Sequence, residues 1–288
     1  LFGSKWDAGF NVFGFLIPTG DELFRDGREV PEEEIERLTG SASLFLGRPL
    51  GNFGKVDFTY QLRFENFDEA DDTSPDFILP TDTLTHTFQT ELQYKRGGYQ
   101  FELQGSYSSR SDWDFYGLPG NTEFSPDQED FVRWQATFAK TWWFSKFRNV
   151  GIALEHLNGS DLDRFSRYDF GIFGDSSVAG YQSGLVRADE ANGFHIQTGV
   201  NAGGVFRVEL EGDAVWVTNE ETGLDNELLA GIGLEGTFTR WGVITNFEIG
   251  YALDGPGEGD VSARIVFLKL FPEKWKPWGK KKRKKNAG

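Results

Sequence analysis

The chain has 288 residues and a formal net charge of -16; it is 38% hydrophobic and 16% aromatic, with 36 Gly, 10 Pro, no Cys and no Met. Without cysteine there is no disulfide framework and no thiolate metal site, and so acidic a chain lacks the basic face that nucleic acid requires. No segment approaches the roughly 18 to 20 uninterrupted apolar residues of a membrane-spanning helix, and 28 Phe, 9 Trp and 8 Tyr are more ring area than a disordered chain carries.

Residues 5–17 read as a first strand. A polar loop follows over 18–40, with a short surface helix predicted across Val30 to Leu38, where Pro31 takes a first-turn position and Glu32, Glu33 and Glu34 sit at the positive end of the dipole. A strand at 41–47 and a turn near 48–53 lead to the clearest alternation in the chain. There Val56, Phe58, Tyr60, Leu62 and Phe64 alternate with Asp57, Thr59, Gln61 and Arg63, which gives one apolar and one polar face. After a loop at 67–81 the pattern returns at Leu84 to Tyr94 and at Tyr99 to Tyr107, joined by Arg96-Gly97-Gly98 as a hairpin. Strands at 131–144, 149–157, 191–202, 204–217, 227–239, 241–253 and 260–270 complete the series.

About twelve strands result, typically of ten residues or more, longer than the usual five or six. Tight turns near 48–53, 96–98, 145–148, 203–204 and 240–242 alternate with long loops at 18–40, 67–81, 108–129, 158–190 and 218–226. Following the strands up and down puts every tight turn on one rim and every long loop on the other. Long strands, an even count and unequal rims predict an all-β antiparallel transmembrane β-barrel over 1–271, with both termini on the periplasmic side of an outer membrane. Period two alone also fits a soluble barrel. Trp142, Trp143, Phe144 and Phe147 around one turn and Trp241 at another favour the membrane, where an aromatic girdle belongs. Residues 272–288, including the basic run Lys280 to Lys285, are expected to form a disordered periplasmic tail or to touch lipid head groups.

The three histidines are the natural general bases. His86 alternates with Leu84 and Phe88, His156 stands near Glu155, Asp161 and Asp163, and His195 falls on a polar strand face; each reads as a structural residue. No nucleophile-elbow, phosphate-loop or zinc-protease motif accompanies them, so neither an enzyme nor a cofactor is expected. Asp68, Glu69, Asp71, Asp72 and Asp76 lack ligand spacing and read as a solvated anionic surface, with no metal site.

Loop 158–190 is too long and too rich in aromatic residues and glycine to float free, and it is expected to fold inward. Burying its arginines requires carboxylates on the wall. Strand 204–217 offers Glu209, Glu211 and Asp213 on its polar face.

These segments resemble the BamA/TamA-type outer-membrane assembly barrels, the bacterial surface-antigen superfamily. Phe173-Gly174 and Val178-Ala179-Gly180-Tyr181 are similar to the family's inward-folded loop motif, and Gly212-Asp213-Ala214-Val215-Trp216 to its wall motif. Ala230 to Leu234 and Glu248 to Ala252 resemble its penultimate hairpin; the likeness covers about residues 80 to 271. The loop arginine that pairs with the wall aspartate in the family falls here at Ala179, which leaves Arg164, Arg167 or Arg187 as substitutes. The family barrel has sixteen strands preceded by POTRA modules, whereas about twelve strands and no POTRA-like pattern are legible here. Two readings stay open: the carboxyl-terminal part of a longer protein, or a reduced barrel.

The resemblance implies insertion or translocation of outer-membrane proteins through a lateral seam between the first and last strands. The partners implied are outer-membrane lipids including lipopolysaccharide, unfolded outer-membrane protein clients, and periplasmic domains outside this chain. A passive pore, or a structural or anchoring barrel, is the alternative.

Overall fold

The computed structural model describes residues 6–14, 19–25, 27–121, 128–171, 174–202, 205–219, 221–240 and 243–269. Twelve long strands account for most of them: β1 (Asp7–Gly14), β2 (Ile35–Leu50), β3 (Gly54–Glu69), β4 (Thr83–Arg96), β5 (Tyr99–Arg110), β6 (Asp130–Ser145), β7 (Arg148–Ser160), β8 (Glu190–Ala202), β9 (Phe206–Asn219), β10 (Leu224–Arg240), β11 (Val243–Asp254) and β12 (Val261–Lys269). Each pairs antiparallel with its chain neighbours, in unbroken order from β1 to β12. Register is held by tight turns such as Gly97-Gly98, whose φ values of 59° and 80° suit a two-residue hairpin loop. A Cβ at Gly98 would stand 2.4 Å from the Thr141 carbonyl oxygen, so the residue is also fixed by its neighbour on β6.

Several expected boundaries shift. The helix expected across Val30 to Leu38 is a single 3-10 turn at Pro31–Glu33, and β2 has already begun at Ile35. Two flanking partners decide this: Ile35 to Leu50 pairs with β3 along its whole length, and Thr19–Asp21 pairs with Ile35 to Arg37 on the other side. Those ladder bonds outweigh a weak local helix preference. The loop expected at 218–226 shrinks because β9 runs on to Asn219 and β10 starts at Leu224. Residues 272–288, and Trp241, lie outside the described residues.

The two faces now separate. Phe58, Phe88, Phe101, Leu103, Phe138, Leu154, Ile196, Leu210, Leu234 and Ile249, on the apolar side of the alternation, are all exposed. Such a continuous apolar exterior belongs in lipid and not in water. The buried hydrophobic residues lie on the inside, where wall residues such as Phe131, Leu157, Val215 and Leu229 pack with Leu162, Tyr168, Phe170, Val178 and Tyr181 of the β7–β8 loop. A second cluster joins Ile35, Phe67, Phe77, Trp113 and Tyr116 to Phe165 of the same loop. One loop reaches β5, β9 and β12 together only because the sheet curls around it. Among the described residues no ladder joins β1 to β12.

A candidate functional site: the loop packed inside the barrel

The inward loop, 161–189, is held at three levels. Nearest its start, Arg110 at the end of β5 makes a bidentate pair with Asp163, at 2.7 and 3.0 Å, with side chains 0% and 1% exposed. Arg110 lies 3.9 Å from the centre of the Trp113 ring. Asp163 Oδ1 also accepts hydrogen bonds from the Phe165 and Ser166 backbone N–H groups and the Ser166 hydroxyl, so one carboxylate both neutralises a wall cation and ties a turn.

The second level is an arginine cluster. Arg164 donates to Asp21 Oδ1 from Nε at 3.0 Å and to the Glu33 carbonyl at 2.7 Å, and Arg187 donates to the same Asp21 oxygen at 3.1 Å. Arg37 on β2 reaches Asp21 Oδ2 at 3.3 Å. Burial by itself would raise the Asp21 carboxyl, but Arg187, Arg164 and Arg37 outweigh it and hold the group well below the usual carboxylate range. Arg167 is bound by Asp189, at 2.9 Å, and by Glu221. Burial opposes its charge, yet these two carboxylates raise its pKa. Burial pushes the Asp169 carboxyl upward, while the Gly184 N–H, donating at 2.7 Å, partly restores it.

The third level is the tip. Val178, Ala179 and Tyr181 are each 0% exposed. The Ala179 N–H donates to Asp213 Oδ2 at 3.0 Å, the Gly180 N–H to Ser262 Oγ of β12 at 3.1 Å, and the Tyr181 hydroxyl to the Asp254 carbonyl. Gly180 has φ +91°, and a Cβ there would lie 2.0 Å from the Ala252 nitrogen. Across the contact, a Cβ on Gly231 would meet the Ala179 oxygen at 1.9 Å, and one on Gly250 the Gly180 nitrogen at 2.2 Å. Three glycines thus let loop backbone lie directly on wall backbone.

The arginine partners differ from those expected. None of Arg164, Arg167 and Arg187 is paired with Asp213, Glu209 or Glu211; their acids are Asp21, Asp189 and Glu221 from the outer connections. The reason is level: these arginines lie at the loop's outer end, whereas Asp213 faces the tip, where Ala179 supplies only a backbone N–H. The other Asp213 oxygen meets His195 Nδ1 at 2.8 Å, and Glu155, bonded by Ser176 Oγ at 2.6 Å, stands 3.6 Å from His195 Nε2. Glu209 pairs with Arg207 on its own strand. Glu211 lines a cavity of about 330 Å³ with Glu155, Ser176, His195 and Asp213. Gly174 donates to the Gly171 carbonyl at 3.0 Å, and Phe173 lies outside the described residues. His86 meets the Tyr60 hydroxyl and His156 the Asn192 amide, each at 2.8 Å. Sequence reasoning missed Arg110 and Asp21, and noted Asp163 as a neighbour of His156 and not as the partner of Arg110. Arg110 was within reach, since it continues the inward series Gln104, Ser106, Ser108.

Neither protein-family models nor curated proteins match this chain. Solved structures do. CdiB from Acinetobacter baumannii aligns over 91% of this chain and 47% of its own, with TM-score 0.57 and 13% identity. BamA from Haemophilus ducreyi lacking POTRA domains 1-3 aligns over 91% and 59%, with TM-score 0.60 and 11% identity. CdiB from Escherichia coli aligns over 91% and 50%, with TM-score 0.57 and 13% identity. The chain has the fold of an outer-membrane β-barrel. It spans about half the length of these structures.

Proposed function

We propose that this barrel resides in the outer membrane, with both termini periplasmic, and promotes insertion or translocation of other outer-membrane proteins at the seam between β1 and β12. The observation that carries this reading is a lumen occupied by a firmly bound loop beside an edge that no ladder closes among the described residues. An unpaired strand edge is a template on which an incoming strand gains backbone hydrogen bonds. No covalent step, cofactor or metal enters this scheme. Its partners are unfolded barrel clients, outer-membrane lipids including lipopolysaccharide, and periplasmic domains that deliver the client.

The test uses the absence of native cysteine. Val12→Cys and Ile265→Cys, one on each seam strand, are joined by a reducible bifunctional thiol reagent, and folding of a urea-denatured eight-stranded barrel into vesicles is followed by protease resistance. The protein should accelerate folding, cross-linking should abolish the acceleration, and reduction should restore it. No acceleration, or acceleration indifferent to the cross-link, refutes the reading. High ion conductance of the intact protein in a planar bilayer would favour a passive pore instead.

A further inference from the structure

The tight-turn rim carries a charge opposite to that of the chain as a whole. Arg48 stands over Trp6, Arg96 over Phe53 at 4.8 Å, Lys140 over Tyr99 at 3.5 Å and Lys146 over Phe147 at 4.8 Å. The opposite rim instead holds acids such as Asp68, Asp71, Asp72 and Asp76. A chain of net charge -16 has thus gathered cations over aromatic rings at one membrane boundary.

The best-formed part of this collar lies on β4, β5 and β6. Arg96, Tyr99 and Lys140 are directly opposite one another across the three strands, and the next outward-facing rung is Tyr94, Phe101 and Phe138. The rung after that is Leu92, Leu103 and Ala136. Successive rungs on one face are roughly 6.6 Å apart, so the surface passes from cations to aromatic rings to aliphatic side chains along the membrane normal. That is the order of head group, interface and acyl chain in a bilayer leaflet.

Tyr94, Arg96, Gly97, Tyr99, Phe101 and Phe138 border a groove of about 400 Å³. Lys140 Nζ donates to the Gly97 carbonyl at 3.0 Å, which leans its ammonium toward the Arg96 hairpin. Among the described residues neither Arg96 nor Lys140 has a carboxylate within ion-pair distance, although the arginines lining the lumen do. Two cations without acids, flanking a tyrosine above an aromatic groove, fit one phosphate and the acyl chain beneath it.

We propose that this groove binds an anionic glycerophospholipid of the leaflet facing the tight turns, with its phosphate between Arg96 and Lys140 and an acyl chain over Tyr94, Phe101 and Phe138. The inference rests on the membrane reading above but not on the seam mechanism. Full-length protein is reconstituted into phosphatidylethanolamine nanodiscs containing phosphatidylglycerol as the minor lipid, and the lipids retained are counted by native mass spectrometry. The parent should retain phosphatidylglycerol above its bulk share. Arg96→Gln and Lys140→Gln should each reduce that enrichment about fivefold, and the double variant on the order of thirtyfold, while Arg28→Gln on the opposite rim leaves it unchanged.

No preference in the parent, or full enrichment in the double variant, overturns the proposal. So does equal displacement of phosphatidylglycerol by lipid A, because the site would then read a phosphate of the other leaflet. Folding is checked in every variant by heat-modifiable gel migration. A parent that fails to insert into pure phosphatidylethanolamine sinks the membrane reading along with this proposal, whereas insertion without enrichment sinks the lipid site alone.

Discussion

Asp163→Ala isolates the most buried ion pair among the described residues. It removes both carboxylate oxygens bound to Arg110, whose side chain is 0% exposed, and among the described residues leaves that guanidinium the Gln128 carbonyl, at 3.1 Å, as its remaining acceptor. A buried pair broken on one side costs about 3 to 5 kcal/mol, because the surviving charge stays desolvated without compensation. The Phe165 and Ser166 N–H groups lose an acceptor as well. If the stranded charge is the main cost, removing it should recover most of the loss. Arg110→Met keeps a long, polarisable side chain over the Trp113 and Phe131 rings. The double variant should therefore fall within about 1 to 2 kcal/mol of the parent, the remainder reflecting the untied turn. Urea unfolding in detergent, followed by the heat-modifiable shift, gives both quantities. An Asp163→Ala penalty below about 1 kcal/mol, or a double variant as unstable as the single, would refute the desolvation argument.

Gly180→Ala places a Cβ 2.0 Å from backbone at a φ of +91°, so it should release the tip at a cost on the order of 2 kcal/mol; limited proteolysis should then cut the loop near 177–183, and a parent-like digestion pattern would count against the packing. Gly250→Ala should give the same phenotype from the wall side, since its Cβ would meet the Gly180 nitrogen at 2.2 Å. The Asp21 clasp predicts a pH dependence. Its folded pKa lies below the ordinary value of 3.8, so the stability it adds is complete above that pH and is lost as pH falls through the folded pKa. The stability gap between the parent and Asp21→Asn should accordingly be flat from neutral pH down to about pH 5 and close only in stronger acid; a gap that closes near neutral pH would contradict the assignment.

The strands were legible because burial and lipid exposure both impose a period of two, and β3 shows it without interruption from Val56 to Phe64. The turns were legible because Gly97-Gly98 states its own backbone requirement. The inward loop could be read from length and composition, since so many rings and glycines in one connection must pack somewhere. Its partners could not. Asp21 lies 143 positions from Arg164 in the chain, and no local pattern marks an aspartate as the acceptor for three distant arginines. The helix expected over Val30 to Leu38 failed for a related reason: propensity is local, but Ile35 to Leu38 is claimed by pairing with Asn66 to Glu69 of β3, far along the chain. The arginine expected to meet Asp213 failed at one residue, Ala179. Its replacement, a backbone N–H held in place by glycines on both sides, leaves no side-chain signal in the sequence.

The clasp network also bears on how the seam is held. Gly180 is bonded to Ser262 of β12, and Tyr181 to Asp254 at the end of β11. From the same loop, Arg164 and Arg187 bind Asp21, in the connection that leaves β1. The loop therefore grips both margins of the edge where no ladder is formed among the described residues. Backbone contact at Gly27 and Pro256 brings the two outer connections together above it. An element bound to both sides of a gap couples two equilibria: the free energy that widens the gap is the free energy that strains the loop's bonds, and loosening the loop lowers the cost of widening by the same amount. On the proposed reading, an incoming strand that pairs with β1 competes with the loop's bonds to Asp21 at its outer end and to Ser262 at its tip. Lumen occupancy and seam opening are then one transition, and substitutions at Asp21 or Ser262 should change both the accessibility of the loop and the separation of the seam strands.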